Sequence, residues 1–465
     1  MKVDKTVTPK DLAAQTTRLF ALAGQKIHLL QRSWNPQHGT PVFTVNGVYT
    51  SRGWTEWTQG FQFGSAILQF DATGDADALA IGKSATVDHM ATHVSHIGVH
   101  DHGFNNISTY GNLRRLMLEG RIPENAWEQA FYDLALKVSG AVQAARWTDL
   151  GNGEGYVYSF NGPHSLFADT IRSLRVLALA HQLGHVLMGE KDRKISLLER
   201  LVTHAFTTSR YNVYFGEERD AYDIRGRVAH ESIFNVNDGS YRCPSSQQGY
   251  SPFSTWTRGQ AWILCGFAEE LGFLAAQDEG AMPKGKKKAE VLSTFLSTAE
   301  AVADHYIGQT PLDGIPYWDT GAPGLARMGD IRSCPADPFN AHEPVDSSAA
   351  VIAAQGLIRL GLYLQRHGKK DQGTAYLQAG LTVAKNVFTE PYLSLDPKHQ
   401  GLILHSVYHR PNGWDHIPAG KSVPCNEATM WGDYHAMELG LLITRMAEGK
   451  PELKFWQEKA PPERI

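Results

Sequence analysis

Apolar residues recur at helical spacing in twelve separate stretches of this 465-residue chain, and no other feature limits its fold so strongly. The stretches fall at 9–33, 60–71, 74–96, 108–120, 125–144, 169–186, 189–208, 257–275, 287–306, 345–366, 371–388 and 428–447. One of them, "PENAWEQAFYDLALKVSGAVQAA", opens with Pro123 and acidic residues, as a helix start should. Short links alternate with long connections rich in Gly, Pro and Trp. Twelve helices joined in this way predict six helical hairpins in an all-α (α/α)6 barrel, with the loops 209–256, 307–344 and 389–427 gathered at one end as a pocket. Strand-like alternation is confined to pieces such as "YNVYF" and "ESIFNV". No Pro/Ser/Gly linker divides the chain, so residues 1–465 read as a single domain.

Composition narrows the partner. A net charge of −4 gives no electrostatic footprint for nucleic acid or an anionic membrane. The four cysteines, Cys243, Cys265, Cys334 and Cys425, are scattered and form no C-x-x-C, so neither a disulfide framework nor a zinc knuckle is expected. The start "MKVDKTVTPKDLAAQ" has no secretory apolar region, and no stretch reads as a membrane span of about 20 apolar residues. A cytoplasmic, monomeric protein with a small-molecule partner is the expectation. The 11 Trp lie largely in loops, where flat rings are available to stack on sugar faces.

Two carboxylates have unusual neighbours. Asp101 lies in "HDHGF" between His100 and His102, and Asp169 follows apolar Leu166, Phe167 and Ala168. An acid in apolar company has a raised pKa and can donate a proton near neutral pH. Each also has a plain structural use, Asp169 as the N-cap of a helix starting at Thr170 and Asp101 as an Asx turn. His89, His93, His96 and His100 recur at helical spacing, which suggests a metal site. A metal needs three or four convergent ligands, however, and no metal or other cofactor is expected.

In "QQGYSPFSTWTRGQAW" (247–262), Trp256, Arg258 and Trp262 place two rings and a guanidinium at a helix entry, downstream of Gln248 and Tyr250. An Arg fork suits a carboxylate and Trp a sugar face, so the segment fits an acidic sugar. Close helix packing is the alternative use of Gly259 and Trp262.

Seven segments in order resemble the unsaturated glucuronyl hydrolases of glycoside hydrolase family 88. They are "WTQGF" (57–61), "HDHGF" (100–104), "HESIFN" (230–235), "QGYSPFSTWTRGQAW" (248–262), "PYWDTGAP" (316–323), "VDSSAAVIAAQGLIRL" (345–360) and "WGDYHAMELGLLI" (431–443). The resemblance implies an (α/α)6 barrel that removes a 4,5-unsaturated uronic acid from the non-reducing end of lyase-generated oligosaccharides. The reaction it implies is hydration of the C4=C5 vinyl ether: a proton goes to C4, water adds at C5, and the hemiketal opens and expels the next sugar. By the same resemblance Asp169 is the acid/base and Asp101 its partner. His230 and Gln248 line the site beside His100, Arg258 is a contact for the uronate carboxylate, and Trp57, Trp256 and Trp262 are stacking platforms.

Departures from the family pattern are "GFQFG" where G-F-W-P-G is usual, the polar "FNNISTYGN", and the loop 412–430 with Trp414 and His416, placed to face the second sugar. They leave open the parent polymer, whether glycosaminoglycan, gellan, xanthan or ulvan. An unsaturated rhamnogalacturonyl hydrolase, a sugar epimerase using paired histidines and a non-catalytic sugar-binding protein are the alternative readings.

Overall fold

The computed structural model describes residues 1–53 and 56–458. It is 53% helical with few short strands, and each of the twelve apolar stretches lies on a helix. In chain order these are α1 (Ala13–Ser33), α2 (Gln59–Thr73), α3 (Ala76–His89), α4 (102–118), α5 (Ala126–Ala145), α6 (170–182), α7 (Leu197–Asn212), α8 (Thr257–Ala275), α9 (Lys288–Gln309), α10 (Ser347–Arg366), α11 (Lys370–Val387) and α12 (Met430–Ala447). Helix α4 contains a π-helical turn at Ile107–Gly111, and α6 consists of Thr170–Ser173 followed by Arg175–Gln182.

The even-numbered helices contact one another in a cycle: α2 meets α4, α4 meets α6, and so on through α8, α10 and α12, which returns to α2. The odd-numbered helices cover them. This order explains why α10 has almost no polar face, because a helix covered on all sides presents no stripe to solvent. Helix α10 is long and apolar enough to cross a membrane by length and composition, contrary to the expectation that no stretch would be. Nearly all of it is buried inside the protein, which accounts for the same composition.

Four even helices are cross-linked by buried charges. Arg172 of α6 pairs with Glu269 of α8 and, at 3.0 Å, with Glu438 of α12, while Arg359 of α10 reaches Glu269 at 3.4 Å. All four side chains are at most 6% exposed.

Short strands are more widespread than the sequence reading allowed. Hairpins join β1 (Pro41–Val45) to β2 (Val48–Ser51) and β3 (Trp147–Gly151) to β4 (Glu154–Val157). Both turn on Asn-Gly: Asn46 and Gly47, and Asn152 and Gly153, all have positive φ, the conformation such hairpins require. β5 (Ser165–Phe167) pairs with β8 (Glu231–Phe234), which pairs with β9 (Tyr241–Ser245); β6 (Val186–Met188) pairs with β7 (Lys194–Ser196). "ESIFNV" is therefore a strand, as expected. "YNVYF" is not: its first two residues end α7, and Val213 makes only an isolated bridge to Val228.

Removing one member of a buried ion cluster leaves the others uncompensated. Glu269→Ala is expected to lower stability by about 3–5 kcal/mol, measured by denaturant unfolding against the wild-type protein.

Candidate active site

At one end of the helices lies a cavity of about 790 Å³. Its lining includes Trp57, His100, Asp101, Asp169, Gln248, Trp256, Arg258 and Trp262, so eight of the nine expected site residues reach it. The ninth, His230, lies directly behind Asp169, with Nε2 3.9 Å from Oδ2. The loops 209–256 and 389–427 contribute as expected, through Gln247 and Gln248 and through Tyr408, His409 and Trp414. The loop 307–344 contributes no lining residue; segments 96–101 and 160–161 take that place.

Asp101 immediately precedes α4 and Asp169 immediately precedes α6, yet neither side chain caps its helix. That removes the N-cap reading of Asp169. Its Oδ1 instead lies 3.1 Å from His100 Nε2, and the same nitrogen is 3.8 Å from Asp101 Oδ1. One imidazole thus serves two carboxylates, each side chain only 11% exposed.

The main chain at His100 is fixed from behind. Its carbonyl accepts from Gln143 Nε2 at 2.6 Å and from Ser173 Oγ at 2.7 Å, and Ser173 Oγ accepts from the Gly103 N–H at 2.9 Å. Gly103 allows this approach: a Cβ there would lie 1.8 Å from the Ser173 carbonyl oxygen.

These contacts decide the ionisation. Burial pushes the Asp101 carboxyl above its ordinary range; the Asp169 charge adds to this and His100 opposes it. Burial also acts to raise Asp169, but the hydrogen bond from His100 and the nearby imidazole of His230 outweigh it and hold that carboxyl well below the usual range. His100 is raised above its ordinary 6.5, because the two carboxylates overcome the effect of burial. The sequence reading gave the raised value to Asp169. The order is the reverse, because Leu166, Phe167 and Ala168 are neighbours along the chain while imidazoles face the carboxyl.

The other histidines have separate tasks. His93 bonds Gln59 at 2.7 Å and Asn105 at 3.1 Å, His102 bonds Ser139 at 2.9 Å and the His96 carbonyl at 2.8 Å, and His89 packs near Phe63. Burial lowers both His93 and His102 to about 4. Among the described residues no group of three or more His, Cys, Asp or Glu side chains could hold a metal ion. The polar "FNNISTYGN" stretch belongs to the same packing: Asn105 accepts from the Gly60 N–H at 2.8 Å, and Asn106 donates to the His93 carbonyl and to Ser139. Gln62, the other departure, lines a separate small cavity with Lys26 and Asp433.

Arg258 departs from its expected use. Four of its N–H donors go to Asp346 (2.8 Å), the Val407 carbonyl, the Tyr408 carbonyl (2.7 Å) and Gln248 Oε1 (3.2 Å). So committed, the guanidinium is a brace and not a free carboxylate fork. It turns the Gln248 carbonyl away and leaves the amide NH₂ to other partners. The Gln248 N–H points to His230 Nδ1 at 3.4 Å, which assigns the ring proton to Nε2, facing Asp169.

The tryptophans divide similarly. Trp57 is half-buried and stacks on Trp431 at 4.9 Å, so part of its surface stays open. Trp256 and Trp262 are 3% and 2% exposed and pack against His230 and Phe104. They form wall more than platform. An added Cβ at Gly259 would meet the ring of Trp256, at the entry of the same helix, at 2.6 Å, so that glycine makes room for the ring. Phe160, Asn161, Tyr408 and His409 also line the cavity and carried no motif. Only the aromatic, Gly/Pro-rich character of "SVYHRPNGW" hinted at the last two.

No family model matches the chain. It is 24% identical over 421 residues to an unsaturated glucuronyl hydrolase of Bacillus sp. strain GL1, covering 87% of this chain and 89% of the relative. The solved structure of a Bacillus sp. GL1 unsaturated glucuronyl hydrolase aligns with TM-score 0.69 at 21% identity, covering 95% and 98% of the two chains. An unsaturated chondroitin disaccharide hydrolase of Streptococcus pyogenes serotype M1 is 24% identical over 445 residues, 94% of each chain. A Streptococcus agalactiae unsaturated glucuronyl hydrolase, an Asp-to-Asn variant complexed with dGlcA-GalNAc6S, aligns with TM-score 0.63 at 18% identity, covering 98% and 99%. These relatives are unsaturated glucuronyl hydrolases and their kin, and the resemblance carried by the seven motifs holds across the length of the chain.

The close approach at Gly103 yields a direct check. Gly103→Ala must separate α4 from α6 and is expected to lower stability by about 3 kcal/mol, read as a lowered unfolding midpoint.

Proposed function

We propose that this protein is an unsaturated glucuronyl hydrolase that hydrates the C4=C5 bond of a terminal unsaturated uronic acid, and that its helices form an (α/α)6 barrel of one domain. The observation that carries the reading is the pair of buried carboxylates, Asp101 and Asp169, held 3.8 and 3.1 Å from one imidazole nitrogen at the wall of an aromatic-lined cavity. The relatives' names, and the unsaturated disaccharide bound in one of them, support the substrate class. The cyclic contact order of the even helices supports the barrel, and a hydrophobic core running from Val7 to Trp456 supports a single domain within the described residues.

The chemistry follows from where the protons sit. Before substrate binds, His100 holds the proton that it shares with Asp169. A bound uronate adds a negative charge, which favours the protonated carboxyl, and Asp169 then delivers the proton to C4. As carboxylate it next takes a proton from the water that adds at C5. The hemiketal opens, and the neighbouring sugar leaves without direct cleavage of its glycosidic bond. Asp101 accepts from the ring hydroxyls, Gln248 and His230 orient ring and water, and Trp57 offers the stacking face. Arg258 acts by fixing Gln248.

The test follows the ultraviolet absorbance of the conjugated uronate with a panel of unsaturated disaccharides, including pectin-derived ones. Wild-type protein is expected to remove the absorbance, and Asp169→Asn and Asp101→Asn to slow its loss by about 10²–10⁴-fold. Near wild-type turnover by Asp169→Asn contradicts the assignment. Because His100 must carry a proton and its pKa is raised above 6.5, kcat/KM is expected to fall as pH rises through that raised value.

A further inference from the structure

One buried cation behind the carboxylates has no part in the chemistry above. Arg146, at the C-terminal end of α5, is 5% exposed. Its hydrogen bonds go to main-chain carbonyls: Nε to Tyr158 at 3.2 Å, Nη2 to Ser159 at 2.7 Å, and Nη1 to Ile97. Its guanidinium also lies over the Tyr158 ring, 4.3 Å from the centroid. Among the described residues it forms no ion pair, and Asp101 is the carboxylate whose charge it feels.

Burying a guanidinium without a paired carboxylate is costly, so the charge needs compensation nearby. The site supplies it: two carboxylates facing one imidazolium leave a net negative charge. The three carbonyls also belong to two different walls of the cavity. Ile97 lies in the loop leading to His100 and Asp101, and Tyr158 and Ser159 lead to Phe160 and Asn161.

We propose that Arg146 is a positioning residue for the hydration reaction, clamping the loop of His100 and Asp101 to the segment of Phe160 and Asn161 and placing a positive charge behind Asp101. The inference rests on the proposed function. The charged and titratable groups that face Asp101 are His96 and His100 from its own loop, Asp169 at the start of α6, Arg146 from α5 and Tyr408 from the 407–414 segment. Burial and Asp169 raise Asp101, whereas His100, Arg146 and His96 oppose the rise. Removing Arg146 therefore moves the ionisation of Asp101 to higher pH.

The experiment compares kcat and KM across pH for wild type, Arg146→Gln and Arg146→Lys on an unsaturated disaccharide that the wild type consumes. In Arg146→Gln the acid limb of kcat/KM is expected to move up by about half a pH unit or more, with kcat lowered about 10- to 100-fold and KM changed by less than about 3-fold. Arg146→Lys is expected to restore the limb and keep part of the kcat deficit, because an ammonium cannot span three carbonyls as the fork does. A wild-type limb in Arg146→Gln, the same profile in both variants, or failure of both to fold reduces Arg146 to scaffold and overturns the inference. A wild type that consumes no unsaturated disaccharide overturns the hydrolase reading itself, and the inference with it.

Discussion

Two carboxylates buried side by side repel one another, and the site depends on the imidazole that relieves this repulsion. His100 offers one nitrogen to both Asp101 and Asp169. Because it leans closer to Asp169, that carboxyl is held ionised while Asp101 is pushed up. The pair becomes unequal, which lets two like groups take different roles. Much of the nearby structure holds that imidazole in place: Gln143 and Ser173 grip its carbonyl, Gly103 lets α6 approach, and Phe160 and Phe167 border the ring.

The histidine-rich stretch shows how closely a metal site and a carboxylate site can resemble each other in sequence. The helical spacing of His89, His93, His96 and His100 breaks down after His89, where α3 ends, and the rings of His89, His93 and His100 turn to different partners. His100 and His230 do approach one centre, as an epimerase with paired histidines would require. Each faces Asp169, and the carboxylate between them makes the pair a support for that carboxyl.

The helices were legible because each buries an apolar face, and burial leaves a periodic trace in sequence. The motifs likewise marked the aspartates, His230, Gln248 and the tryptophans. What was not legible depended on direction. The Asp169 neighbourhood reads as apolar along the chain and is imidazole-rich in space, so its ionisation runs opposite to what its chain neighbours predict. Arg258 reads as a ligand fork and is spent on carbonyls and Asp346. The two hairpins at Asn46-Gly47 and Asn152-Gly153 carry a local turn signal, which is short beside the long helical periods around it. Phe160 and Asn161 left no periodic or motif trace, since a loop residue that meets a cavity obeys neither period.

The claim that the double bond is hydrated, and the glycosidic bond lost only as a consequence, is tested most directly by proton NMR of an unsaturated disaccharide incubated with the protein in D₂O. The account predicts that the vinyl H4 signal disappears in step with release of the second sugar, with deuterium delivered to C4. Release of the second sugar with the vinyl signal intact would mean direct cleavage of the glycosidic bond and would contradict it.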